Sequence, residues 1–213
     1  MVSASRTAWV PGARLGGWTD RFAASHGAFS LEEHDDGLQL SAQDGARATL
    51  LAPWPVDGRP GRGPGPLERL ASLASQPRPV VVLLIRRGGY GIGLCRGGIL
   101  EVSKVGTRHV QSRTAAGGWS QQRFARRRAN QADAMVEAVA AHAAALPLAP
   151  GEYLALGGDK AMAAALMAEP VLAPLAALPR LAFLDVQDPR AKVMAEAVAR
   201  LSSVKIRITD PKT

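Results

Sequence analysis

The sequence predicts an α/β (α+β) fold, a mixed β-sheet with flanking helices, with a small N-terminal α+β segment ahead of it. Three observations carry this. The run from Val80 to Ile85 is β-branched and aliphatic throughout and is bounded by Pro79 and Gly88-Gly89, which suits a strand buried on both faces. Downstream of it, a hairpin-like pattern gives way to short apolar runs alternating with helical stretches. A Pro- and Gly-rich stretch, PWPVDGRPGRGPGP, separates this region from the first fifty or so residues.

Taken in order, Trp18, Phe22 and Ala23 fall at helical spacing, His26-Gly27 ends that pattern, and Leu38-Gln39-Leu40 alternates apolar with polar as a strand does. These features make residues 1–55 a small α+β segment, 56–66 a linker or loop, and 67–213 the main domain. Residues 67–75 suit a short helix. The stretches 90–95 and 99–105 form a hairpin through Arg96-Gly97-Gly98. A Gly-rich loop at 115–118 leads into a long helix at 120–145, whose later half sets Met135, Val136, Val139 and Ala143 on one apolar stripe. Residues 153–156 read as a second buried strand. Gly157-Gly158-Asp159 then turns into a helix at 160–167, with Asp159 as its cap; phosphate binding by Asp159 and Lys160 is the other reading. Strands at 181–184 and 204–208 complete the set, and Asp188-Pro189 reads as a helix start with Asp188 as N-cap.

At 213 residues and 47% hydrophobic content the chain can bury a substantial core. Its longest aliphatic run is far too short to span a bilayer, and the N-terminus lacks the apolar stretch of a signal peptide. The expectation is therefore a cytoplasmic monomer with no membrane partner. Cys95 stands alone, so no internal disulfide is expected. The histidines at 26, 34, 109 and 142 are scattered, and no metal site is expected of them. Asp185 and Asp188 lack a third carboxylate for a two-metal centre. The run Glu32-Glu33-His34-Asp35-Asp36 reads as a solvated turn between strands.

Charge is more informative. The formal net charge is +8 and the pI about 10.5, which favours a polyanionic partner. Between Val102 and Ala132 stand seven cations, Lys104, Arg108, Arg113, Arg123, Arg126, Arg127 and Arg128, and no acid. A solvated helix face usually alternates its signs, so this one-signed block points to nucleic acid.

The block contains QSRTAAGGWSQQRFARRRANQ, residues 111–131. Gly117-Gly118 ahead of a helix permits positive φ and close approach by another chain. The helix N-terminus beside them offers free amides and a positive dipole end, suited to phosphate or to a developing oxyanion. Gln121 and Gln122 can orient a water without acting as bases. Arg123, Arg126 and Arg127 lie on neighbouring helical turns and can bind several phosphates together. Trp119 suits either stacking on a base or covering the apolar edge of the loop.

These residues resemble the middle domain of the archaeal and eukaryotic class I peptide release factors, where a Gly-Gly-Gln loop leads directly into Ser-x-x-Arg-Phe-Ala-Arg-x-Arg. Here Gly117-Gly118 is followed by Trp119 and then by Ser120-Gln121-Gln122-Arg123-Phe124-Ala125-Arg126-Arg127-Arg128. The likeness covers about residues 79–208 and includes the upstream hairpin and the Gly157-Gly158-Asp159-Lys160 turn. The codon-reading and partner-binding domains of true release factors have no counterpart. The combination resembles the release-factor-like peptidyl-tRNA hydrolases of ribosome quality control, in an actinobacterial-type branch. Alignment on Arg-Phe-Ala-Arg puts Trp119 where release factors carry their glutamine. The quality-control relatives resemble Gly-Ser-Gln instead, and Ser120-Gln121 fits that version with a longer loop.

The resemblance implies hydrolysis of the peptidyl-tRNA ester in the peptidyl-transferase centre of the large ribosomal subunit, with ribosomal RNA and peptidyl-tRNA as partners. It implies catalysis by Gly117, Gly118 and Gln121, with Gln122 as the second candidate, and no cofactor or metal. Arg113, Trp119, Ser120, Arg123, Arg126, Arg127, Arg128, Lys104 and Arg108 are the implied RNA contacts. Two other readings stay open: a non-catalytic ribosome- or RNA-binding protein, and a metal-dependent nuclease.

Overall fold

The computed structural model describes residues 5–35, 37–107 and 119–211, with residues 119–130 as backbone. The chain divides into two compact units, Met1–Pro77 with Ala199–Thr213, and Arg78–Val198.

In the first unit, strands β1 (Ser5–Pro11), β2 (Phe29–His34), β3 (Gly37–Ala42) and β4 (Arg47–Leu51) join the chain's last strand, β9 (Ser203–Thr209). The sheet runs β1-β9-β4-β3-β2 with every pairing antiparallel. Alternation decides its faces: Val10, Leu38, Leu40, Ala48, Leu50, Val204, Ile206 and Ile208 point to one side and are buried there. Against them pack Leu15 and Phe22 of helix α1 (Leu15–His26) and Leu70 and Ala74 of helix α2 (Pro66–Ala74). Phe22 stacks on Trp18 at 5.4 Å, the helical spacing seen in the sequence, and Gly27 at φ +82° ends α1.

Two features of this unit differ from the sequence expectation. Strand β1 lies in a stretch read only as lacking a signal peptide; its membership follows from β9, which pairs with it from Ser5↔Thr209 to Pro11↔Ser203. The Pro/Gly-rich stretch is a loop laid along α2 within this unit, which also holds α2 and β9 and has its limits near 77 and 199. The loop is held by a buried Trp54, whose Nε1 donates to the Leu73 carbonyl at 2.8 Å, and by Gln76 Nε2, which donates to the Arg59 carbonyl at 2.8 Å. The acidic run also sits differently: Glu32 to His34 are the end of β2, and Glu33 accepts from Arg69 of α2 at 2.7 Å.

In the second unit β5 (Pro79–Arg86) is the organising strand. It is antiparallel to β6 (Gly89–Arg96) and parallel to β8 (Tyr153–Gly158), and β7 (Ile99–Thr107) extends the sheet beyond β6. Gly97 and Gly98, at φ +56° and +82°, form the two-residue turn between β6 and β7. Val81, Leu83 and Ile85 share one face with Ile92, Leu94, Leu154 and Leu156. Over it lie α3 (Trp119–Ala145), through Met135, Val136, Val139 and Ala143, and α4 (Lys160–Met167), through Met162, Ala163 and Leu166. A 3-10 turn at Pro170–Leu172 and the short α5 (Ala173–Ala176) follow. On the opposite face Met194 of α6 (Ala191–Leu201) approaches Gly91 and Gly93; a Cβ on either would meet its sulfur or terminal methyl at 3.1 or 3.0 Å. The hairpin glycines therefore make room for α6.

Two expectations are corrected here. Residues 181–184 form no strand of their own; the chain runs beside β8 and touches it in isolated bridges, Leu154↔Arg180 and Gly157↔Leu184. The Leu181 and Leu184 amides donate to the carbonyls of Leu154 and Leu156, so the apolar residues there finish a sheet edge without adding a ladder. Asp188 does not cap α6, which begins at Ala191 with Arg190 supplying the carbonyl for Met194 N–H. Asp188 instead lies against the Gly88 turn, where an added Cβ would come within 2.8 Å of its carboxylate.

The loop along α2 yields a paired prediction. A Cβ at Gly61 would sit 1.8 Å from the Arg69 carbonyl oxygen, whereas one at Gly16 of α1 meets nothing within 4 Å. Gly61→Ala is expected to cost about 1–3 kcal/mol through overpacking against backbone, and Gly16→Ala to add roughly 0.5–1 kcal/mol through helix entropy. Thermal melts of both variants should move in opposite directions.

Candidate functional site

The site is built from the outgoing end of β7. Its last residues pair with the start of β6, Gly106 opposite Tyr90 and Thr107 opposite Gly89. Gly106 carries no side chain because the Tyr90 ring lies across it; an added Cβ would be 2.4 Å from a ring carbon. The same ring stacks on His142 of α3, with centroids 5.6 Å apart and planes 28° apart. Lys104 Nζ in turn donates to His142 Nδ1 at 2.9 Å. Burial raises the Tyr90 phenol above its ordinary pKa, so the ring acts as a neutral plate between β7 and α3. The strand leading into residues 108–118 is thus tied to the packed half of the helix that follows them.

Of the residues singled out in the sequence, Lys104 is on β7 and belongs to this cluster. Trp119, Ser120, Gln121, Gln122, Arg123, Arg126, Arg127 and Arg128 all fall within α3, in the first ten residues of a continuous 27-residue helix. At 1.5 Å per residue that helix is about 40 Å long. Among the described side chains of α3, the buried stripe starts at Met135. Gly117, Gly118, Arg108, Arg113 and His109 lie outside the described residues. Glu101, the acid just before the acid-free stretch, is engaged by Arg96 Nε at 2.8 Å.

The remaining candidates have structural duties. Asp159 caps α4, its Oδ1 accepting from the amides of Ala161 at 2.9 Å and Met162 at 3.0 Å, and Lys160 rests over the Phe183 ring at 5.8 Å. The capping reading of that turn holds. Asp185 is exposed and lies 3.8 Å from Arg86. Cys95 is buried, and burial pushes its thiol up to about 12, so it offers no thiolate at neutral pH. Among the described residues no group of three or more His, Cys, Asp or Glu side chains is placed to hold a metal ion.

Tyr90, Gly106 and His142 escaped the sequence reading. The signal was present but composite: the Gly97-Gly98 turn puts Tyr90 near Gly106 once the bulge at Leu94/Cys95 is included, and His142 stands three residues after Val139.

Residues 78–207 match the family model described as Actinobacteria/chloroflexi VLRF1 release factor, and that range is more than half of the chain. The chain belongs to the VLRF1 release-factor family. The VLRF1 match opens at Arg78, where the second unit opens, and runs on into β9 of the first. It encloses β7, α3 and the whole acid-free segment. Membership supports a role in peptidyl-tRNA hydrolysis and ribosome rescue in general. A comparison with curated proteins returns no match. Among the described residues of this VLRF1 member, no helix is long and apolar enough to cross a membrane.

The Tyr90–His142–Lys104 cluster predicts a local stability effect. His142→Ala removes the ring stack and the acceptor and is expected to cost about 1 kcal/mol, lowering Tm by roughly 2–4 °C for a chain of this size. His34→Ala, at an exposed position, should leave the melt unchanged.

Proposed function

We propose that this chain is a peptidyl-tRNA hydrolase acting on the large ribosomal subunit, with Gly117–Arg128 as its reactive and RNA-holding element. The observation that carries the reading is that the VLRF1 match encloses this segment, whose helical part opens α3. Helix geometry supports a division of labour. In this reading the helix opens after the Gly117-Gly118 loop, so that the amides of Trp119, Ser120 and Gln121 have no intrahelical acceptor and the dipole there is positive. Such amides suit the tetrahedral oxyanion formed when water attacks the ester. In the same reading Gln122 is one position further in, where a helical ladder would take up its N–H.

In this account the Gln121 carboxamide orients the attacking water, and Gly117-Gly118 lies against the tRNA 3′ end. At about 100° per residue, the positions of Arg123, Arg126 and Arg127 fall on the side of α3 opposite the Met135–Val139–Ala143 stripe. Phosphates of tRNA or ribosomal RNA are their natural ligands. Lys104, close to the outgoing end of β7, adds to this basic field. Positioning and charge stabilisation do the chemistry, in a step for which the ribosome and tRNA supply the rest of the environment.

Purified large subunits carrying peptidyl-tRNA test the assignment in a single-turnover release assay. Gln121→Ala is expected to slow release about a hundredfold, while Gln122→Ala stays within about threefold of wild type. Full-rate release by Gln121→Ala would overturn the side-chain role. Ribosome association without release by the wild type would favour a binding protein that lacks the chemistry.

A further inference from the structure

The five-stranded sheet of the first unit buries one face under α1 and α2, and its other face carries a different chemistry. Because Val204, Ile206 and Ile208 point inward, Lys205 and Arg207 between them point outward, and the register sets their neighbours. Trp9 and Leu51 flank Lys205; Thr7 and Thr49 flank Arg207; Arg47 lies opposite Thr209. Trp9 is 38% exposed, large for an indole on a sheet, and the Lys205 ammonium sits 5.5 Å from its ring centroid. Among the described residues neither Arg47 nor Arg207 pairs with a carboxylate. Asp210, just after β9, is held by Arg6 of β1 at 3.5 Å, Asp44 lies in the turn between β3 and β4, and Glu32, Glu33 and Asp35 stand at the far edge, on β2 and in its turn. That edge is three strand spacings from β9, about 14 Å.

We propose that this outer face, centred on Trp9, Lys205, Arg207 and Arg47, is a second RNA-binding surface that takes a single-stranded segment. An exposed indole on an open sheet gives an unstacked base a flat partner, and cations on the neighbouring strands hold its backbone. A protein partner would call for an apolar patch; here the surface between the cations is threonine, and Leu51 is the lone aliphatic among the positions just named. Double-stranded RNA would present phosphates but no base face to the indole. The surface lies outside Gly117–Arg128 and does not depend on the hydrolytic reading.

The test uses the full-length chain and a short labelled oligouridylate, read by fluorescence anisotropy across a salt series, with Trp9→Ala, Arg207→Glu and, as a charge-matched control on exposed Arg21 of α1, Arg21→Glu. Trp9→Ala is expected to weaken binding about fivefold or more, as loss of a base–aromatic stack does. Arg207→Glu should weaken binding and reduce the slope of log K against log salt by about 0.7, with a smaller effect from Arg21→Glu. A 4-thiouridine oligonucleotide should cross-link to peptides containing Ser5–Pro11 or Ser203–Thr209. Equal effects of Arg207→Glu and Arg21→Glu, or cross-links confined to residues 108–130, would overturn the proposal. If Trp9→Ala melts far below wild type, Arg207→Glu and the cross-link map decide alone. Peptide release measured on the same variants separates this surface from the hydrolytic element, since neither Trp9 nor Arg207 belongs to that element.

Discussion

Everything in the second unit depends on β5 being saturated. Both of its edges are hydrogen-bonded, to β6 and to β8, and every residue from Pro79 to Ile85 is buried. A fully buried aliphatic side chain contributes roughly 1.5–3 kcal/mol relative to exposure, so this strand concentrates more stabilisation than any other of its length in the unit. Its two neighbours then inherit fixed positions. β6 carries β7 and, at the end of β7, the departure of the basic segment. β8 sets the turn at Gly158, whose φ of +97° brings Asp159 to the start of α4. The odd-numbered face of β5 is also the floor on which the packed half of α3 rests. The basic segment is thus bracketed: β7 precedes it up to residue 107, and the Met135–Ala143 stripe follows it after residue 130.

The family region does not coincide with a structural unit. Its last strand, β9, sits between β1 and β4, and both pairings are continuous. Residues 78–198 are therefore an insertion in the path of the first unit, between α2 and β9. Removing the N-terminal strands would leave β9 with neither neighbour and expose Val204, Ile206 and Ile208. The family match and the N-terminal segment therefore share that strand.

Much of this was legible in the sequence because the signals were local. The Val80–Ile85 run, the Gly97-Gly98 turn and the Asp159 cap each depend on a few consecutive residues, and each was placed correctly. The basic segment and its family likeness were legible for the same reason: the paired glycines and Arg-Phe-Ala-Arg are adjacent. What was missed depends on partners distant in the chain. β1 is a strand because β9, nearly two hundred residues later, pairs with it. Leu181–Leu184 looked like a strand on apolar content alone, but only two of its neighbours on β8 receive its amides. Asp188 looked like a cap from its neighbour Pro189, whereas its actual environment is the Gly88 turn. The Tyr90–His142–Lys104 cluster brings together three elements, and no window of sequence contains it.

The central claim is that the chain hydrolyses peptidyl-tRNA in the context of the large subunit. Its most direct test compares wild-type protein, at equal concentration, on peptidyl-tRNA bound to isolated large subunits and on the same peptidyl-tRNA free in solution, following release of labelled peptide over a single turnover. The account predicts rapid release from the subunit complex and little from the free substrate, because positioning by ribosomal RNA is part of the chemistry. Equal rates on both substrates, or no release from either despite ribosome binding, would contradict it.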